Sequence, residues 1–142
     1  MRISAKTEYA CIAMLELTVA YGAGEPVRIR NIAEAHGIPS RFLVQILLQL
    51  KGAGYVMSTR GASGGYQLAK PPDEVTLGEV MQVIDGQDEV IRSSTSGDSA
   101  SARVLVAAWN EVAETEREML HALTFSELAS RQRKTAENMY YI

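Results

Sequence analysis

Cysteine is almost missing: the 142 residues hold one, Cys11, which excludes an internal disulfide framework. Histidine is nearly as scarce, and His36 and His121 stand alone without metal-like spacing. No long hydrophobic run exists either. The longest near-apolar stretch, Tyr9 to Tyr21, is interrupted by Glu16 and Thr18 and is too short to cross a bilayer. The N-terminus lacks a basic region followed by an apolar run and a cleavage site, so no signal peptide and a cytoplasmic location are expected. No Ser/His/Asp, Cys/His or paired-carboxylate constellation with supporting glycines is present, nor a phosphate loop, and an enzyme is not expected. No internal repeat is found.

What is present is an ordinary globular composition, 46% hydrophobic and 22% charged, long enough for one core plus an accessory element. The net charge of −3 is unevenly spread. Residues 1–70 carry eight Lys/Arg against four acids, a net of +4, whereas residues 71–142 carry six against thirteen, a net of −7. Such a split suits one face that meets a polyanion and one that does not; chance asymmetry on a solvated surface is the alternative.

Lys6 to Tyr21 reads as a helix started by Ser4 or by Lys6-Thr7. Its apolar residues (Tyr9, Ala10, Ile12, Ala13, Met14, Leu15, Leu17, Val19) lie nearly all round it. That pattern predicts burial on every side, part of it against a partner subunit. Gly22 to Pro26 is a loop, and Val27-Arg28-Ile29 a short extended piece. Arg30 to His36 makes a two-turn helix stopped by Gly37. A further helix starts at Ile38-Pro39-Ser40 and runs to about Lys51, with Leu43, Ile46, Leu47 and Leu50 on one face. Tyr55–Arg60 and Tyr66–Leu68 flank a glycine-rich turn and predict a hairpin. Thr76-Leu77-Gly78-Glu79 is a capping box opening a helix to about Asp85. Ser93–Ser99 is small and polar, a mobile loop by composition. Ala100 to Leu123 is one long helix whose stripe contains Leu105, Ala108, Val112, Thr115, Met119 and Ala122, flanked by Trp109, Leu120 and Leu123. Glu116 sits near that stripe. Thr124-Phe125-Ser126-Glu127 is a second capping box, opening a short helix to about Arg133, with the tail to Ile142 unassigned.

This order predicts a mainly α fold with a small β-hairpin: a winged helix-turn-helix over residues 1–86, then a loop, a long dimerisation helix and a short terminal helix over 87–142. Ala33 is small where two helices cross, Gly37 permits the sharp turn, and Leu43 packs the second helix back. An ordinary helical hairpin beside a β-hairpin is the competing arrangement. In the first, the leucine-anchored helix presents Ser40, Arg41, Phe42 and Gln45 outward at its start, where a recognition helix reaches base edges. Arg41 suits guanine, Gln45 adenine, and Ser40 a phosphate. Arg60 begins the wing tip, with Gly61, Ser63 and Gly64 letting backbone approach backbone. Lys6, Arg28 and Arg30 are phosphate-contact candidates, or plain surface charges. Leu105, Ala108, Trp109, Val112, Met119 and Leu120 are the candidate dimer interface.

Several segments resemble the IscR/NsrR/CymR family of bacterial regulators. They are Arg2-Ile3-Ser4 with Tyr9-Ala10; Ile32-Ala33-Glu34 and Ile38-Pro39-Ser40-Arg41-Phe42-Leu43; and Arg60-Gly61-Ala62-Ser63-Gly64-Gly65-Tyr66-Gln67-Leu68-Ala69 with Pro71-Pro72. Val75-Thr76-Leu77-Gly78-Glu79-Val80 also matches. The resemblance is close over residues 1–86 and follows by pattern beyond. It implies a homodimer on a palindromic DNA site, with the long helix crossing to the partner subunit. Many members of the family ligate an iron–sulfur cluster through three cysteines between the Thr76 helix and the long helix. This chain has Ser, Thr, Gly and Asp there, so no cluster and no other cofactor is expected. Glu8 lies near a carboxylate ligand of some relatives and reads here as a surface or ion-pair residue; Cys11 reads as a small core residue, with a redox role as the alternative.

The expected function is a DNA-binding transcriptional regulator, of repressor type, acting as a homodimer on double-stranded DNA and away from membranes. A small molecule, a partner protein or nothing serves as effector. The competing function is a winged-helix adaptor that binds protein rather than DNA.

Overall fold

The computed structural model describes residues 1–87 and 89–140. The first helix, α1 (Ala5–Ala20), starts at Ser4, whose side chain accepts the amide of Thr7. Ala10, Ala13, Met14 and Leu17 are buried along it, and Tyr9, Cys11, Ile12 and Leu15 pack half-buried against the same core. Two polar residues within this helix find partners. Thr18 Oγ1 donates to the Met14 carbonyl at 2.7 Å, and Thr7 Oγ1 to Asp85 Oδ1 at 2.6 Å.

Helices α2 (Ile29–His36) and α3 (Ser40–Gly52) form the helix-turn-helix. Gly37, at φ +66°, takes the left-handed conformation that the sharp turn needs, and the Ile38 amide reaches back to the Ala33 carbonyl at 3.1 Å. His36 ends α2 and pairs through Nε2 with Glu16 of α1 at 2.8 Å. Strands β1 (Val56–Thr59) and β2 (Gly65–Leu68) pair antiparallel with Val56 opposite Leu68 and Thr59 opposite Gly65. Val27 adds a single bridge to Tyr66, with both backbone bonds at 2.8 Å. Ile29, taken as extended in the sequence reading, belongs to α2.

Helix α4 (Leu77–Asp85) opens on the capping box, and both reciprocal bonds between Thr76 and Glu79 form. Helix α5 (Ala100–Ala122) begins at Ser99, which accepts the Ala102 amide. Helix α6 (Phe125–Met139) begins at Thr124, which accepts the Glu127 amide; Glu127 itself pairs with Arg131 rather than closing a reciprocal box. The two threonine caps meet: Thr76 and Thr124 form an isolated antiparallel bridge, with the Leu77 amide on the Leu123 carbonyl and the Phe125 amide on the Val75 carbonyl. This clamp brings α6 back onto α1 and seats Phe125, fully buried, in the common core.

Two sequence expectations change here. Helix α6 runs to Met139 rather than stopping near Arg133, because residues 134–139 contain neither Gly nor Pro to end it; residues 141 and 142 of the tail lie outside the described residues. Cover for α1 also comes from its own chain, since α3, α4, α6 and β2 all pack against it. Phe125→Ala should therefore lower unfolding stability by roughly 3–5 kcal/mol, read from urea denaturation followed by circular dichroism. A loss under about 1 kcal/mol would mean that α6 is not part of the core.

Candidate nucleic-acid interface

The inner face of α3 is fixed by Leu43, Ile46, Leu47 and Leu50, all at 0% exposure. A helix anchored so completely on one side has one orientation, and its other side faces solvent. Ser40, Arg41, Phe42, Val44, Gln45, Leu48 and Gln49 are exposed there. No side chain caps the start of α3, where Pro39 is the N-cap and its carbonyl takes the Phe42 amide at 3.1 Å, which leaves the amides of Ser40 and Arg41 open to an anion. Phe42 is the most engaged of the predicted residues. Its ring lies 6.1 Å from that of Tyr9, and the Arg41 guanidinium sits 5.2 Å from its centroid. Gln45 extends into solvent one turn beyond Arg41.

The wing follows directly. Lys51 Nζ, in the last turn of α3, donates to Ser58 Oγ of β1 at 2.7 Å. Gln67 Nε2 donates to the Gly24 carbonyl at 2.9 Å, tying β2 to the loop after α1. Two of the tip glycines serve the hairpin itself. A Cβ on Gly64 would lie 2.1 Å from the Thr59 carbonyl oxygen, and one on Gly65 would lie 2.5 Å from that of Val27. Gly64 is accordingly buried, while Arg60, Gly61 and Ser63 are exposed at the tip. The sequence pattern showed an excess of glycine; the reason for it is this internal crowding.

The remaining basic candidates differ. Arg28 is exposed at the cap of α2, and Lys6 is half-buried on α1. Arg30 is exposed and paired with Glu34 at 3.1 Å, a solvent-screened contact that a phosphate can displace.

At the other end of the chain, α5 buries none of its residues. Leu105, Trp109, Val112 and Met119 are 50–66% exposed, Ala108 is exposed and Leu120 is half-buried. Val104, at 68% exposed, joins this apolar surface and was not singled out from sequence. The segment before α5 is tied down rather than free of contacts. Asn110 accepts the Ile91 amide at 2.9 Å and donates to the Ile91 carbonyl at 3.0 Å, while Asp98 pairs with Arg103.

The residues present do not fit an iron–sulfur cluster. The segment 89–99 offers no thiol, and no group of three or more His, Cys, Asp or Glu among the described residues could hold a metal ion. Cys11 lies half-buried against the core, and burial, reinforced by the charge of Asp85, pushes its thiol up to about 11. That is the state of an inert packing residue.

A helix-turn-helix with an outward polar helix, followed by a hairpin carrying an exposed arginine, defines a winged helix-turn-helix DNA-binding regulator. The comparisons with known proteins agree. The sequence pattern of the Rrf2 family, described as an iron-dependent transcriptional regulator, matches residues 3–131, and the chain belongs to that family. It is 38% identical over 132 residues to the HTH-type regulator Rv1287 of Mycobacterium tuberculosis, covering 91% of this chain and 81% of that one. It is 32% identical over 130 residues to CymR of Bacillus subtilis, covering 92% and 91%. The solved structure of B. subtilis CymR (YrzC), a global cysteine regulator, superposes with a TM-score of 0.80 at 30% identity, over 92% of this chain and 98% of that chain. IscR of T. potens gives 0.77 at 29% identity, over 95% and 90%. These relatives are regulators and not enzymes, and no helix among the described residues is long and apolar enough to cross a membrane.

The base of the wing is coupled to α4 by one polar contact. Tyr55 Oη donates to Glu79 Oε2 at 2.8 Å, and Lys70 Nζ lies 4.7 Å from the Tyr55 ring centroid. Burial pushes the Tyr55 hydroxyl up to about 12, and the bond and charge of Glu79 add to it. For Glu79, burial acts upward but is outweighed by the bonds from Tyr55 and Thr76 and the charge of Lys70, leaving its carboxyl below the ordinary 4.5. A depressed carboxylate stabilises the fold above its unfolded pKa and loses that contribution as pH falls through the folded one. The urea midpoint should drop on acidification below pH 4.5, and Glu79→Gln should flatten that part of the profile. An unchanged acid limb in the variant would remove Glu79 from the account.

Proposed function

We propose that this protein is a cluster-free transcriptional regulator of repressor type that binds a palindromic operator as a homodimer. The observation carrying the reading is α3: fully anchored by four aliphatic residues on one side and open on the other, with Arg41 and Gln45 outward and the Arg60 wing built onto its end. Arg41 and Gln45 are suited to bidentate contacts with guanine and adenine in the major groove. Arg60 suits the negative potential of an adjacent minor groove, and Arg28, Arg30, Lys6 and the start of α3 suit phosphates.

The homodimer is supported by the uncovered stripe on α5. An exposed apolar surface of this extent, running along one helix face with acids on the other, is what a second copy of the same helix covers. Two copies related by a two-fold axis present two recognition helices, which accounts for a palindrome. For an effector, one available space is an apolar hollow of about 300 Å³ between α1, α4 and α5, bounded by Ile3, Cys11, Ile12, Leu77, Met81 and Leu120. Such a lining suits an apolar occupant.

Selection of genomic fragments by the purified protein at physiological salt tests the reading: one enriched inverted repeat is expected, and retention of no DNA above background would end it. On the enriched site, Arg41→Ala should cost roughly 1–3 kcal/mol and relax one base position, while Arg60→Ala should weaken binding and lower the salt slope by about one. Separately, Trp109→Glu should convert a dimer to a monomer by light scattering and abolish high-affinity binding. A variant that stays dimeric would place the interface elsewhere.

A further inference from the structure

Val44 and Leu48 stand on the outward face of α3, one turn apart, 42% and 55% exposed and outside the core. They occupy the same exposed side as Arg41, Gln45 and Gln49, so the face offered to solvent carries an apolar strip directly beside its polar residues. Nothing local calls for a valine there. It is a poorer helix former than the charged or amide residues that suit a solvated helix face. Its neighbour Phe42 differs, since that ring is engaged by Tyr9 and Arg41.

The major groove contains one apolar group on its base edges, the 5-methyl of thymine. We propose that Val44 reads a thymine methyl group, at a base pair next to those faced by Arg41 and Gln45. This rests on the DNA-binding reading above and adds a specificity to it. Val44 lies in the second turn of α3, within the part of a recognition helix that reaches base edges, whereas Leu48 is one turn further along. The branched Cβ of valine leaves one favoured rotamer in a helix, so its methyls are held in place before DNA arrives. A longer, freer side chain would lose rotamer entropy on making the same contact.

Deoxyuridine differs from thymidine only by that methyl group, which gives a direct test. Duplexes carrying the selected operator are made with each thymine of the half-site replaced in turn by deoxyuridine, and the full-length protein is titrated against them. For the unmodified protein, one position per half-site should lose about fourfold in affinity on removal of the methyl. Val44→Ala should bind the thymine duplex about as weakly and show no difference between the two duplexes. Arg41→Ala should weaken both duplexes and keep the ratio. Val44 is exposed, so the variant is expected to fold, which circular dichroism checks. If no thymine replacement changes binding, or if Val44→Ala keeps the original ratio, the role of Val44 is overturned while loss of affinity in Arg41→Ala leaves the regulator reading standing. Failure to enrich any DNA overturns both.

Discussion

The fold is arranged around one helix, α1, whose apolar surface is more than any single neighbour can cover. Helix α1 carries apolar residues round most of its circumference, and water is an expensive neighbour for any of them. Cover comes from α3, α4, α6 and β2, each laid against a different part of it. The orientation of α3 is a consequence. Its leucines and Ile46 go inward because α1 and its neighbours need them, and the side left over is the one that can enter a groove. The outward face is therefore set by burial and not by any interaction among its polar residues.

That dependence explains what was legible in the sequence. The spacing of Leu43, Ile46, Leu47 and Leu50 identifies the inner face of α3, and the outer face follows by subtraction. Gly37 and the glycines after Arg60 are equally readable, since few residues tolerate a left-handed turn or a backbone pressed against another backbone. The return of α6 was not legible. Thr76 and Thr124 each look like an isolated helix start, and nothing in their local pattern says that the two caps pair with one another. Contacts of that separation are fixed by which surface remains uncovered after the local elements have formed. The Tyr55–Glu79 bond and the His36–Glu16 pair were missed for the same reason.

Helix α5 stands apart from this scheme. It packs on α4 and yet buries none of its own residues, so its apolar stripe contributes little to the stability of a single chain. Most of the acidic excess of the second half lies before α5: residues 71–99 hold seven acids against one base, whereas α5 and α6 together nearly balance, with six acids against five bases.

The family to which the chain belongs is described by iron, and this member has the fold without the ligands. The structure explains how the two can be separated. In small domains whose metal sits in the core, binding and folding are one event, and loss of the ligands unfolds the chain. Here the segment where the resemblance implies cysteines in many members, residues 89–99, is exposed throughout and places no side chain in the core. Phe125, Val75, Val80 and the α3 leucines close that core without it. What the segment does need is a hold on α5, and the Asn110 amide supplies one by meeting both the N–H and the carbonyl of Ile91, as a paired backbone would. The absence of thiols therefore bears on what the segment can bind and not on the burial of α1 or, with it, the orientation of α3.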